Sequence, residues 1–284
     1  MSVQSVTVLG AGTMGHGIAH VSAVAGCSVS LYDLSADAAN RGLEAITRNM
    51  AKGVDRGKLN ADVRDAALER IRTVTNLKDA VAGADLVVEA VPEKLSIKQE
   101  LFAQIEPWIS DACILGTNTS SLSVGAIATA VRRPERVIGL HFFNPVHIMK
   151  LLEIIVAEQT SEHVLSRCLA YGEAIGKQCI TVKDFPGFAT SRLGVCLGME
   201  AIRMVEQGVA SPEDIDSAMV LGYRHPVGPL KLTDMVGLDV RMHFGEYLAR
   251  ELGNAAFEPP ELMRSMVKQG RLGKKSGKGF YDWD

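Results

Sequence analysis

Residues 6–17 read VTVLGAGTMGHG, an apolar strand that runs into a glycine-rich turn and the start of a helix. Gly10, Gly12 and Gly15 give the spacing G-x-G-x-x-G. In this pattern the first glycine permits the tight turn, the second lets the backbone approach a pyrophosphate, and the third lets the helix pack closely on the strand. The N–H groups and the dipole at the helix N-terminus then favour a phosphate group.

The sequence after this turn supports a dinucleotide site. A second strand, residues 28–32, ends at Asp33, which lies 18 residues beyond Gly15. An acidic residue at about this distance binds the ribose hydroxyls of the adenosine half. A carboxylate there also repels a 2′-phosphate, so we expect NAD rather than NADP. The predicted cofactor residues of this region are Gly10, Gly12, Thr13, Met14, Gly15 and Asp33. The alternative is a glycine turn in an α/β protein that binds no nucleotide.

Composition narrows the class of protein. The 284 residues suit one large or two ordinary domains, and a hydrophobic content of 47% is ample for a core. A net charge of −3 argues against nucleic-acid binding. Five scattered cysteines, with no C-x-x-C pair, fit reduced thiols in a cytosolic protein and predict neither disulfides nor a metal site. We expect no signal peptide and no membrane span.

The order of elements predicts an α/β fold with two domains. Strand-like and helix-like segments alternate up to about residue 183, which is typical of a mostly parallel, Rossmann-type sheet. Beyond residue 184 the patterns are all helical. We therefore predict an NAD-binding domain over 1–184 and a helical substrate and dimerisation domain over 185–284. The predicted strands are 3–9, 28–32, 72–75, 86–89, 113–116, 136–140, 151–155 and 178–182.

Three helices bear on function. The spacing of apolar residues predicts a long helical insertion over 37–58 and a helix over 96–106. The segment 188–207 is apolar around most of its circumference, so we expect it to be buried in a core or between subunits. Because such a helix would leave an apolar patch on a small domain, a homodimer is predicted. The segment 270–281 is expected to be an irregular tail.

Polar residues follow the strands at the edge where such sheets bind ligands. His141 suits a general base, because its ordinary pKa lies near 6.5. Glu153, on the next strand, is the best candidate to orient it. Ser120 could bind a substrate oxygen. The alternatives are a core histidine bonded to the backbone and, for Ser120, a helix N-cap.

A basic stripe lies along the predicted long helix. Arg41, Arg48, Lys52 and Arg56 share one face and would suit a phosphate-rich ligand. The alternative is a solvated surface, which is common for such charges.

Eight segments, in order along nearly the whole chain, resemble the L-3-hydroxyacyl-CoA dehydrogenases, and among them the short bacterial 3-hydroxybutyryl-CoA type. They are GAGTMGHG, Asp33, VVEAVPEKLSIK, NTSSLS, IGLHFFNP, DFPGF, HPVGPL and GKKSGKGFYDW. The resemblance implies a homodimer in which each chain has a Rossmann domain and a helical domain. It also implies NAD-dependent interconversion of L-3-hydroxyacyl-CoA and 3-ketoacyl-CoA.

The resemblance assigns roles to matching residues. It implies that His141 is the catalytic base, that Glu153 is its carboxylate partner, and that Ser120 contacts substrate and cofactor. The residues implied to contact the cofactor are Glu93, Lys98, Ser120, Asn144 and Lys275. Lys52 and Arg56 lie where the basic helix of the family meets the phosphates of CoA.

The chain departs from the family pattern at Ser191. The family places an asparagine here to hydrogen-bond the substrate, and a serine hydroxyl is shorter and has one donor. Because Ser191 stands where this asparagine would be, we include it with His141, Glu153 and Ser120 among the predicted catalytic residues. Lys231 also replaces an acidic residue that is common at its position.

Two other functions remain open from the sequence. The same fold could act on a sugar acid or another 3-hydroxy acid without CoA, in which case Lys52 and Arg56 should not affect substrate affinity. Alternatively, the chain could be a recruited NAD-binding protein that has a weakened site, and Ser191 is the feature that favours this.

Overall fold

A computed structural model describes residues 3–284 of the protein. The chain divides after Asp184 into two compact units, residues 1–184 and 185–284. Each unit has a hydrophobic core of its own.

The first unit is built on one eight-stranded sheet. Its strands are β1 Ser5–Leu9, β2 Ser28–Tyr32, β3 Ile71–Val74, β4 Leu86–Glu89, β5 Ile114–Thr117, β6 Val137–Phe142, β7 Leu151–Val156 and β8 Gln178–Lys183. Their spatial order is β3-β2-β1-β4-β5-β6-β7-β8. Strands β1 to β6 are parallel, β7 is antiparallel to β6, and β8 is parallel to β7. The predicted Rossmann-type, mostly parallel sheet is confirmed.

Helices connect these strands. They are α1 Thr13–Val24, α2 Ala36–Asp55, α3 Ala61–Glu69, α4 Leu77–Val81, α5 Leu95–Ile105, α6 Val124–Ala128 and α7 Glu162–Ala174. Because the central strands β4 and β6 are fully buried, their sequences LVVE and VIGLHF are nearly continuous apolar runs. The order of strands reverses between β1 and β4, which is where open α/β sheets bind ligands.

The long helical insertion is a helical hairpin. Helix α2 begins after Ser35, whose hydroxyl caps the N–H of Ala38, and buries Ile46 and Met50. The predicted helix 37–58 ends too late, because α2 stops at Asp55 and the chain turns back into α3. Gly57 in this turn has a φ of 64°, which favours glycine.

The end of β6 corrects the sequence prediction. We predicted that the strand ends at residue 140, with His141 in the following loop. The strand extends to Phe142, so His141 lies inside it and pairs with Glu153 in the register of β6 and β7. Both His141 and Phe142 are buried like the rest of the strand. Because His141 is polar, a prediction from the run of apolar residues alone ends the strand too early.

The second unit is helical. Its helices are α8 Thr190–Glu206, α9 Pro212–Ser217, α10 Pro229–Val236, α11 Leu238–Leu252 and α12 Glu261–Lys268. The core of this unit includes Met199, Ile202, Leu230, Leu248 and Met263.

Within a single chain helix α8 is only partly buried, and its burial between subunits stays a prediction. It buries one face, with Val195, Met199 and Ile202, whereas Leu193 is 71% exposed. Charged residues, including Glu200 and Arg203, which form an ion pair, occupy other positions. The prediction of a helix apolar around most of its circumference is wrong, because these charges define a polar face.

A buried aspartate in α10 anchors the C-terminal end of the second unit. Asp234 is fully buried and accepts hydrogen bonds from the N–H groups of Phe280 and Tyr281 and from the indole of Trp283. The ammonium of Lys231 lies 5.9 Å from the ring centroids of both Tyr281 and Trp283. Cation–π attraction to these rings gives Lys231 a structural role.

Across residues 3–284, no helix is long and apolar enough to cross a membrane.

Candidate active site

The glycine turn after β1 has the shape that a dinucleotide requires. Gly10 has a φ of 100°, and a Cβ there would lie 2.8 Å from the carbonyl oxygen of Ala90, just beyond β4. A Cβ on Gly15 would lie 1.7 Å from the carbonyl oxygen of Gly10, so any side chain would separate helix from turn. At Gly12 a Cβ would meet no protein atom within 4 Å, which leaves room for a pyrophosphate at the start of α1. No side chain caps α1, whose first residues are Thr13 and Met14.

Asp33 lies beside this turn. Its Oδ2 accepts a hydrogen bond from the N–H of Ala11 at 2.9 Å, which ties the end of β2 to the turn after β1. The carboxylate is only partly buried. The glycine turn and the aspartate therefore form one surface that fits the adenosine and pyrophosphate of NAD.

His141 and Glu153 form a buried pair on adjacent strands. Nδ1 of His141 lies 2.7 Å from Oε2 of Glu153. Glu153 is fully buried and His141 is nearly so. A carboxylate in this position fixes the tautomer of the ring and stabilises its protonated form.

The loop that carries Ser120 is organised by Glu93. Oε1 of Glu93 accepts hydrogen bonds from the hydroxyl of Thr119 at 2.6 Å and from the N–H groups of Ser120 and Ser121 at 2.9 and 3.1 Å. Ser120 is therefore bonded to Glu93, and the N-cap of α6 is Ser123 instead. Burial alone would raise the pKa of Glu93, but the Lys98 ammonium and these donors outweigh it and lower the pKa.

Lys98 is entirely buried between two carboxylates. Its ammonium lies 2.8 and 2.9 Å from the two oxygens of Glu89 and 3.2 Å from Oε2 of Glu93. Glu89 also accepts hydrogen bonds from the hydroxyl of Thr117 and the N–H of Val91. Burial raises the pKa of Glu89, and the Lys98 ammonium opposes that rise.

Asn144 lies on the exposed segment after β6, before a cis proline, Pro145. Asn118 links this region to β5, because its Oδ1 accepts a hydrogen bond from the N–H of Phe142 at 3.0 Å. The sheet thus brings the polar residues that follow β4, β5 and β6 to one edge.

A basic cavity of about 800 Å³ opens on the first unit. Its walls come from α1, the hairpin of α2, the segment after Pro145 and the end of α7. Its basic side chains are Lys52, Arg56, Lys58, Lys150 and Lys177, and its lining contains no carboxylate. Apolar residues such as Val24, Ile148 and Met149 line the remainder.

Two stacked histidines also line this cavity. The rings of His20 and His147 are 5.1 Å apart and nearly parallel. Burial, reinforced by His147, His16 and Lys177, lowers the pKa of His20 to about 4. Burial likewise lowers the pKa of Lys177, which donates to the carbonyl oxygens of Val146 and Met149.

The basic stripe divides into two parts. Lys52 and Arg56 line the cavity, whereas Arg48 pairs with Glu44 on the exposed surface of α2. Arg41 is exposed as well.

The second unit carries the two remaining predicted site residues. Ser191 is partly buried in the first turn of α8. Lys275 forms an ion pair with Asp239 at 2.6 Å.

Sequence reasoning missed Glu89, Thr117, Lys150 and Lys177. Glu89 was detectable as a charge at the end of an otherwise apolar strand. The two lysines carry no local pattern, because tertiary structure alone brings them to the cavity.

A dinucleotide-binding turn and a histidine–carboxylate pair at one edge of a parallel sheet define an NAD-dependent dehydrogenase. Family models narrow this class. The model described as "3-hydroxyacyl-CoA dehydrogenase, NAD binding domain" matches residues 5–185, and "3-hydroxyacyl-CoA dehydrogenase, C-terminal domain" matches residues 187–283.

Individual proteins agree with the family models. The chain is 42% identical to the "Probable 3-hydroxybutyryl-CoA dehydrogenase" of Bacillus subtilis (strain 168), over 100% of this chain and 99% of that protein. It is 39% identical to the "3-hydroxybutyryl-CoA dehydrogenase" of Mycobacterium tuberculosis (strain ATCC 25618 / H37Rv), over 99% of each chain. The crystal structure of (S)-3-hydroxybutyryl-CoA dehydrogenase from Ralstonia eutropha superposes with a TM-score of 0.96 at 38% identity and covers both chains fully.

The chain therefore belongs to the 3-hydroxyacyl-CoA dehydrogenase family. It is an oxidoreductase, and its cofactor is NAD.

Proposed function

We propose that the protein interconverts L-3-hydroxyacyl-CoA and 3-ketoacyl-CoA, with short acyl groups such as 3-hydroxybutyryl as substrates. The observation that carries the proposal is the basic cavity on the same unit as the His141–Glu153 pair. The names of the three relatives reported above support the short acyl group.

His141 acts as the general base in this proposal. We assign proton transfer to Nε2, because Nδ1 is bonded to Glu153. As Nε2 takes the proton of the 3-hydroxyl group, the carboxylate of Glu153 stabilises the imidazolium that forms. Bound NAD⁺ would accept the hydride that leaves the carbon bearing this hydroxyl group. In the reverse direction His141 returns the proton to the carbonyl oxygen.

Ser120 and Glu93 orient the reacting groups. The hydroxyl of Ser120 binds the substrate oxygen, while Glu93 keeps the Ser120 loop in position. Together with Lys98, Asn144 and Lys275, these residues are proposed to contact the nicotinamide half of the cofactor. Ser191 is proposed to take the substrate contact that asparagine makes in the family.

The cavity has the composition that CoA needs. CoA carries several negative charges on its phosphates and a long pantetheine arm, whose methyl and methylene groups alternate with amides. Five basic side chains without a carboxylate suit the phosphates, and Val24, Ile148 and Met149 suit the arm. A sugar acid or free 3-hydroxy acid offers a carboxylate but none of the phosphates that five basic side chains suit.

Charge removal in the cavity tests the proposal. We expect the double variant Lys52→Ala/Arg56→Ala to raise KM for acetoacetyl-CoA by about 10- to 100-fold, because two charge-assisted contacts are lost. The value of kcat should change by less than about twofold, since neither residue touches the reacting carbon.

The matched control is Arg41→Ala/Arg48→Ala, which removes two charges from the same helix outside the cavity. It should leave KM unchanged. An unchanged KM in the cavity variant would contradict the CoA assignment and favour a substrate without CoA.

We also propose that the second unit, residues 185–284, binds substrate and forms a homodimer. Large apolar side chains are exposed on it, including Leu193 at 71% and Leu221 at 80%. Others are Val209, Tyr223, Met235, Val236 and Val240. Exposed apolar surface of this kind favours association.

A further inference from the structure

We infer that Glu89 is a positioning residue for the reaction: through Lys98 it fixes Glu93 and the Ser120 loop, and it supplies negative charge beside the NAD ring. The inference rests on the proposed function, because that function takes the nicotinamide to lie beside Glu93 and Ser120. Glu89 acts through Lys98 and does not itself contact substrate or cofactor.

Glu89 is built into the fold as a charge acceptor. It is the last residue of β4, and its side chain is fully buried. Both of its oxygens receive donors: the Lys98 ammonium, the Thr117 hydroxyl and the N–H of Val91. Because an ionised carboxylate only accepts hydrogen bonds, this set of donors matches the ionised form.

The contact passes from Glu89 to the Ser120 loop in two steps. Lys98 holds the two oxygens of Glu89 and also lies 3.2 Å from Oε2 of Glu93. The other oxygen of Glu93 receives the N–H groups of Ser120 and Ser121. Loss of the contact between Glu89 and Lys98 would leave the Lys98 ammonium paired with Glu93 alone. Glu93 would then shift together with the Ser120 loop that it holds.

Together, Glu89, Glu93 and Lys98 also carry a net charge. Glu89 and Glu93 contribute two negative charges and Lys98 one positive charge, so the sum is −1. A negative charge near the ring favours NAD⁺, whose nicotinamide is positively charged, over NADH. Buried ion pairs are seldom needed for stability alone, since apolar side chains of similar size often serve as well.

The variant Glu89→Gln tests the inference, because it keeps the size of the side chain and removes its charge. We expect kcat to fall by about 10- to 100-fold through misplacement of Ser120. KM for acetoacetyl-CoA should change by less than about twofold, since the CoA phosphates bind elsewhere. The ratio of Kd for NAD⁺ to Kd for NADH should rise by about fivefold. Fluorescence titration of the purified protein with each form of the cofactor measures this ratio.

Glu106→Gln is the matched control. Glu106 is buried as well and pairs with Arg136 at 2.9 Å, but Arg136 precedes β6 and lies at the opposite end of that strand from the site. Its loss should lower stability without changing kcat or the ratio of Kd values. If Glu89→Gln and Glu106→Gln lower kcat alike and leave the ratio unchanged, Glu89 is merely structural and the inference is wrong.

A milder variant covers failure of Glu89→Gln to fold. Thr117→Val removes one donor to Glu89 and keeps the branched shape of the side chain. It should lower kcat by about two- to threefold, because Glu89 is held less firmly, and leave the ratio of Kd values unchanged, because Glu89 keeps its charge. An unchanged kcat would overturn the inference. Lack of turnover by the unmodified protein would instead contradict the proposed function, and the ratio of Kd values would still test Glu89.

Discussion

At the scale of single residues, the chemistry depends on how Glu153 holds His141. The 2.7 Å contact joins two nearly or fully buried groups across β6 and β7. In Glu153→Gln the amide cannot stabilise an imidazolium and can fix the wrong tautomer. We expect kcat with acetoacetyl-CoA to fall by about 10²- to 10³-fold.

Glu158→Gln is the control for this prediction, because Glu158 is an exposed carboxylate just beyond β7. It should keep full activity. A Glu153→Gln variant that retains more than about a third of kcat would show that His141 needs no carboxylate.

Ser191 decides whether the site is weakened or simply different. If the serine hydroxyl binds the substrate, Ser191→Ala should lower kcat by about tenfold through loss of one hydrogen bond. Ser191→Asn should raise kcat by no more than about threefold. A much larger gain from asparagine, measured under the same assay, would support a site that has lost its function.

His20 makes stability depend on pH. Its pKa falls from 6.5 to about 4 on folding, so the unfolded chain binds the proton more readily between these values. The folded state therefore loses stability as the pH falls from 6.5 to 4, by about 3 kcal/mol from this residue.

Urea unfolding at several pH values measures this effect. His20→Gln should flatten the curve in that window, whereas His163→Gln, at an exposed position, should not. Parallel curves for His20→Gln and the unmodified protein would exclude a neutral buried His20.

At the scale of elements, Asp184 ties the end of the first unit to the loop that bears Ser120. Its Oδ2 accepts hydrogen bonds from the hydroxyl of Ser123 and the N–H of Gly125, both at 2.7 Å, at the start of α6. Asp184→Ala should lower the free energy of unfolding by about 1–2 kcal/mol. Glu158→Ala should not, and equal stabilities of the two variants would contradict this role.

The sequence predicted elements better than their boundaries and partners. The glycine turn, Asp33 and the alternation of strands predicted the sheet, because these signals are local. The sequence placed the end of β6 too early, since the polar His141 interrupts the apolar run of a buried strand that continues to Phe142. The polar face of α8 was missed because apolar residues outnumber its charges.

In the candidate site, too, the sequence predicted some contacts and missed those that depend on tertiary structure. The pairing of His141 with Glu153 was predicted from two adjacent strands, because their separation of 12 residues suits a short connection. The burial of Lys98 between Glu89 and Glu93 was not predicted, since a lysine on a helix is ordinarily exposed. Lys150 and Lys177 reach the cavity only through tertiary structure.

At the scale of the whole molecule, the exposed apolar side chains of the second unit predict a dimer. Light scattering should give a mass of about twice the 30.5 kDa of one chain. Leu193→Asp/Leu221→Asp should shift the protein towards the monomer, because it places charges on that surface.

Leu34→Asp is the matched control, since Leu34 is 88% exposed on the first unit. It should leave the mass unchanged. A monomeric unmodified protein would exclude the proposed dimer.

The most direct test of the account is NADH consumption by the purified protein with acetoacetyl-CoA, compared with free acetoacetate. A sugar acid with NAD⁺ completes the comparison. The basic cavity and the His141–Glu153 pair predict rapid turnover of the CoA ester alone. Turnover of only the compounds without CoA would contradict the proposed substrate, and NADH binding without any turnover would contradict catalysis by this site.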